Sequence, residues 1–145
     1  MDPDTTVTSV GHAIQLSVAP VFLLSGIGAM LAVMTNRLSR VVDRARTVRE
    51  DLPGANADER ADAHAELHVL SRRAKLIYWA ITLCAITALF VCAVVAAMFV
   101  AAFLGYRAAI PVALLFVGAM TTFFAGLLCF LREIFLATAS LRIAP

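Results

Sequence analysis

Three long stretches of this chain carry neither acid nor base: residues 5–36, 76–106 and 108–131 contain no Asp, Glu, Lys or Arg. The 12 basic and 10 acidic residues of the 145-residue sequence all lie elsewhere. A backbone in hydrocarbon must satisfy its own polar groups, and a helix needs about 20 apolar residues to cross the layer, so such stretches become membrane-spanning helices. The bulk composition agrees, with 61% apolar and 15% charged residues against about 45–50% and 25% in soluble domains. It excludes a disordered tail and argues against a soluble globular domain. A net charge of +2 is too small to suggest nucleic-acid binding, and no such partner is expected. Residues 1–145 read as a single membrane domain, because the spans leave no room for a separate soluble core.

The expected fold class is an all-α membrane protein with three transmembrane helices at about 17–34, 76–104 and 108–131. The first contains Pro20, with Ser25, Gly26 and Gly28 at its middle. It is expected to begin near Thr8 or Ser9 and to be kinked or interrupted at the proline, where a backbone donor is lost. The second is longer than a bilayer requires, so it tilts or protrudes; Tyr78 and Trp79 after Lys75 form an interfacial belt. The third starts beside Pro111, tolerated in a first turn, and leaves the membrane at Arg132 and Glu133. Only Gly105, Tyr106 and Arg107 separate the last two spans, which makes them a tight antiparallel pair.

Orientation follows from the cations. Segment 37–75 carries nine Lys and Arg residues and the C-terminal tail two, whereas the N-terminus has none and the short turn only Arg107. The positive-inside rule places the N-terminus and that turn outside, with residues 37–75 and the C-terminus in the cytoplasm. The chain opens with Asp2 and Asp4 and has no base before Arg37, unlike a signal peptide, so the N-terminus is expected to be retained.

Segment 37–75 has its own periodicity. Leu38, Val41, Ala45, Val48 and Leu52 form one heptad seam, and Ala63, Leu67, Leu70, Ala74 and Ile77 form another. Pro53 and Gly54 stop the first helix, while Asn56 and Glu59 are spaced for a capping box at the start of the second. Helices 1 and 2 are therefore predicted to extend into a cytoplasmic antiparallel helical hairpin with coiled-coil spacing. With Leu52 near Ala57, Arg49 falls beside Arg60 and Glu59, Arg46 beside Asp62, and Arg44 beside Glu66.

Near the membrane Arg37, Arg40, Arg72, Arg73 and Lys75 have few acidic neighbours and form a basic collar. Such a collar serves as a topology signal with contacts to anionic lipid headgroups, or else it lines an ion vestibule or binds a specific lipid. Asp43 between Arg40 and Arg44 orders the guanidiniums as a subunit-contact or gating element, or belongs to an ordinary charged juxtamembrane helix. Ser25, Gly28, Ala32 and Asn36 share a face of the first span, which suits either a pore lining or helix packing. Small residues recur at Ala93, Ala97, Ala101 and Gly105, and at Gly118, Thr122 and Gly126; these stripes pack spans within one subunit or between subunits.

No cofactor or metal is expected. Cys84, Cys92 and Cys129 lie inside spans without ligand spacing and read as small buried hydrophobes. His64 and His68 are four apart around Glu66, but the stretch is HAELH and not HExxH, which favours a helix face over a metal or pH-responsive site. His12 reads as an interfacial residue. No span contains an ionisable acid or base beyond its cysteines, and that disfavours a pump or voltage sensor. Nucleophile–base pairs and phosphate loops are missing from the sequence, so enzyme chemistry is not expected.

The run from His12 to Arg46 resembles the signature of a bacterial membrane-protein family called domain of unknown function 2721. Its AIQL-x-x-AP-x-FLL stretch corresponds to Ala13–Leu16 and Ala19–Leu24, and a glycine-containing span follows. Its RL-x-R-x-x-DR-x-R segment corresponds to Arg37, Leu38, Arg40, Asp43, Arg44 and Arg46. The rest of the chain agrees in layout without so sharp a motif. The resemblance implies a bacterial three-span inner-membrane protein with no assigned activity. The reading that follows is a homo-oligomeric structural or interaction protein in contact with the lipid bilayer. The alternative is an oligomeric passive channel for ions or small solutes, lined by the first span.

Overall fold

The computed structural model describes residues 3–105 and 109–141, and its regular elements are all helical. Helix α1 spans Pro3–Asp51, a 3-10 turn covers Leu52–Gly54, and helices α2 and α3 span Ala57–Leu104 and Ala109–Leu141. Helices α1 and α2 have 49 and 48 residues, more than twice the roughly 20 that a bilayer crossing takes. All three contain a segment long and apolar enough to cross a membrane.

Two expectations for α1 change. Helix α1 is already formed at Pro3, ahead of the start expected near Thr8 or Ser9. Helix α1 also runs without interruption through Pro20. One proline removes one donor, which a long helix tolerates when its flanking bonds persist. Helix α3 continues past Arg132 and Glu133, where the membrane exit is expected, to Leu141. Helix α2 ends ahead of Gly105, whose φ of +65° is a left-handed conformation that glycine adopts without strain. Tyr106, Arg107 and Arg142 lie outside the described residues.

The chain packs as two units. One comprises Met1–Met30 with Leu83–Phe124. Its buried residues include Ile27, Cys84, Val91, Val94 and Ala119. The hydroxyls of Thr87 and Thr122 lie 2.9 Å apart between α2 and α3, and each also reaches a carbonyl of its own helix. A Cβ at Gly118 would meet the Phe90 ring at 3.8 Å. Gly118 and Thr122 therefore pack against α2 within the chain, which is how small residues let two helices approach in lipid.

The other unit comprises Leu31–Thr82 with Ala125–Pro145. Both heptad seams turn inward here: Val41, Val48, Leu70 and Ile77 are buried, and Leu38, Ala45, Leu52, Ala63, Leu67 and Ala74 are half-buried. Fully burying each Val or Leu contributes about 1.5–3 kcal/mol, so the seam residues dominate the local energetics. The turn between α1 and α2 is closed by a reciprocal cap. The Asn56 N–H donates to Glu59 Oε2, and the Glu59 N–H donates to Asn56 Oδ1, both at 2.9 Å.

Outward-facing side chains of the spanning segments are large and apolar, Phe22, Leu89 and Ile110 each being at least 70% exposed. In water that surface would drive aggregation. Against acyl chains it is the expected exterior.

Candidate functional site

Glu133 on α3 is fully buried and lies between two arginines. Arg37 of α1 donates from Nη1 to Oε2 at 2.6 Å. Arg73 of α2 donates to Oε1 from Nη2 at 2.9 Å and from Nε at 3.2 Å. The Arg37 guanidinium carbon also lies 5.4 Å from the centre of the Phe130 ring, one turn before Glu133. A buried carboxylate is costly unless paired and hydrogen-bonded, and here both oxygens are engaged. Among the described residues no buried side-chain nitrogen or oxygen lacks a partner.

This cluster changes the reading of the collar. Arg37 and Arg73 were expected to have few acidic neighbours, but α3 supplies one to both. Their side chains are 38% and 22% exposed. Arg40, Arg72 and Lys75 are exposed, as are Asp43 and Arg132. Arg44 bonds not to Asp43 but across to Glu66, at 2.7 Å from Nε and 3.2 Å from Nη2. That hydrogen bond, more than the Coulomb attraction accompanying it, raises Arg44 above its ordinary pKa. The facing pairs expected for Arg46 and Arg49 do not form: among the described residues neither has an ion pair within 4.0 Å. Glu59 is engaged with Asn56 instead.

Glu133 was legible as a residue but not as a site. It follows Arg132 at the end of a charge-free run, which resembles a membrane exit. The available signal was its solitude, since it is the only acid after Glu66.

The face of Ser25, Gly28, Ala32 and Asn36 on α1 is exposed along its whole length. Ser25 Oγ donates back to the Val21 carbonyl at 3.3 Å, and a Cβ at Gly28 would meet nothing within 4 Å. Helix α1 thus leaves these small residues open, whereas Phe90 of α2 covers Gly118 of α3. His64, His68 and His12 are exposed. Among the described residues no group of three or more His, Cys, Asp or Glu side chains is placed to hold a metal ion. All three cysteines are free; Cys84 is buried, Cys129 half-buried and Cys92 exposed, the last against expectation.

Residues 17–143 match the family described as Protein of unknown function (DUF2721). Among curated proteins nothing matches the chain, and the same holds among solved structures.

Proposed function

The chain belongs to the DUF2721 family, and from that premise we propose that it works as a homo-oligomeric structural or interaction protein of the bacterial inner membrane, not as an enzyme. In this reading its three helices cross the bilayer with the N-terminus outside. The ends of α1 and α2 project into the cytoplasm as an antiparallel hairpin with coiled-coil packing, and the C-terminus lies on the same side. Arg40, Arg72 and Lys75 then meet anionic headgroups at the inner leaflet.

The observation that carries oligomerisation is the open face of α1. Gly28 and Ala32 are a small-xxx-small pair, a pattern that lets a second helix approach closely in lipid. The comparable residues Gly118 and Thr122 are already occupied by Phe90 and Thr87. Cysteine crosslinking in native membranes tests this, with Cys84, Cys92 and Cys129 replaced by alanine. Gly28→Cys is expected to give dimers at several-fold the yield of Phe22→Cys, which sits on an exposed apolar face of the same helix. Equal yields at the two positions defeat the reading.

A second reading, a passive channel for ions or small solutes, is favoured by the polar groups Ser25 and Asn36 on that exposed face. It requires a ring of copies lined by α1, since three helices do not enclose a pore. Purified oligomers in planar bilayers then conduct, and Ser25→Trp lowers the conductance. Silence under varied voltage, pH and tension leaves the structural reading alone.

A further inference from the structure

Arg46 and Asp62 do not face one another across the paired helices; they lie on opposite flanks. One flank is a groove that holds Arg46, Arg49 and Glu50 beside Val42 and Leu67. The other holds Asp51, Glu59, Asp62 and Glu66 with Arg44. Helical geometry produces this segregation. At about 100° per residue from the buried Val41 and Val48, Arg46 and Arg49 fall to one side of the seam and Arg44 and Asp51 to the other. On α2, Asp62 and Glu66 share the side of Arg44, as the Arg44–Glu66 bond records. The first groove thus has two arginines against one glutamate, and the second has four acids against one arginine.

Within the second groove Glu66 is engaged by Arg44 and Glu59 by the Asn56 backbone. Asp51 and Asp62 remain, and among the described residues neither has an ion pair within 4.0 Å. The same is true of Arg46 and Arg49 on the opposite flank. The two unpaired sets have opposite sign.

Depth is the further constraint. Copies packed side by side in one bilayer are related by rotation about the membrane normal, so every residue keeps its height. A residue can meet only what lies at the same level on the neighbour. The Arg44–Glu66 bond sets the register of the helix pair, which places Asp62 level with Val48. That is about 3 Å beyond Arg46 and about 1.5 Å short of Arg49, with Asp51 about 3 Å beyond Arg49. Each aspartate therefore has a guanidinium of opposite flank and matching depth.

We propose that these flanks are the lateral interface of the oligomer, with Arg46 and Arg49 of one copy bonding Asp62 and Asp51 of the next. The occupant of each groove is a second copy of this chain. The contact is head-to-tail, because the two surfaces are different, and a head-to-tail contact generates a ring when its rotation closes. Charges at such an exposed surface give register and partner selection more than affinity. The proposal rests on the homo-oligomer reading above and names the surface by which the parts outside the membrane join.

The test uses the full chain in native membranes with its three cysteines replaced. Arg49→Cys on one tagged copy is expressed with Asp62→Cys on another. The mixed crosslink is expected at several-fold the yield of either like pair. Equal yields, or an excess of like pairs, overturn the proposal. The Gly28→Cys crosslink is measured alongside. If it persists while the mixed product is absent, this interface is wrong and the oligomer stands; if both are absent, both readings fall. In the second arm, Arg46→Glu with Arg49→Glu lowers the recovered oligomer several-fold. Adding Asp51→Arg with Asp62→Arg to that same chain restores it, because exchanging both flanks regenerates the complement. An oligomer indifferent to the reversal overturns the proposal.

Discussion

Two glutamates of this protein are gripped by arginine, and they differ in everything else. Glu133 is fully buried, with both oxygens bonded to guanidiniums from two other helices. Glu66 is 40% exposed and held by Arg44 alone, whose own side chain is 58% exposed. Solvent makes the difference. If Arg44 is lost, water solvates Glu66; if Arg73 is lost, Glu133 has no water to turn to and keeps a single partner. The chemistry of the bond is the same, but one grip is a structural necessity and the other selects register.

This contrast can be broken most sharply at the buried pair. Arg73→Ala leaves a buried carboxylate with Arg37 as its one partner and is expected to destabilise the protein by about 3–5 kcal/mol, read by denaturant unfolding in detergent micelles. Glu133→Gln is expected to do less, because Arg37 and Arg73 are partly exposed and can extend toward water or headgroups. If the two variants are equally unstable, stranded charge is not the source of the effect.

An intermediate case separates burial from charge. Thr87 is buried and its bond to Thr122 is neutral, so Thr87→Val is expected to lose only about 0.6 kcal/mol, the usual size for such a bond in a membrane protein. A loss as large as that of Arg73→Ala would mean that burial alone sets the scale. The smallest effect belongs to Arg44→Ala. It should leave the unfolding midpoint unchanged within error in high salt, where exposed charges are screened. A salt-independent loss there would erase the distinction between the two glutamates.

What the sequence disclosed depended on whether the information was periodic. The seams of α1 and α2 repeat every three or four residues, and all ten seam positions turn inward. The Asn56–Glu59 cap was equally legible, because its partners are three residues apart. Glu133 was not, since its partners lie 60 and 96 positions away and no local pattern links them. The facing charges beyond Arg44–Glu66 failed for a different reason. Matching residues by level ignores the side of the seam on which each one lies, and Arg46 and Asp62 diverge there. At Pro20, local chemistry predicted a kink or an interruption, and the helix continues without the interruption.

The grip on Glu133 also has a meaning in time. Arg37 and Arg73 belong to helices that leave the ribosome before α3, which carries their acid. Until α3 has been synthesised and inserted, the earlier helices carry two cations whose counter-charge does not yet exist. A chain truncated before residue 133 can never complete the cluster. The carboxylate therefore distinguishes a chain that carries α3 from one that stops before it, because only the former holds Arg37 and Arg73 in ion pairs with Glu133.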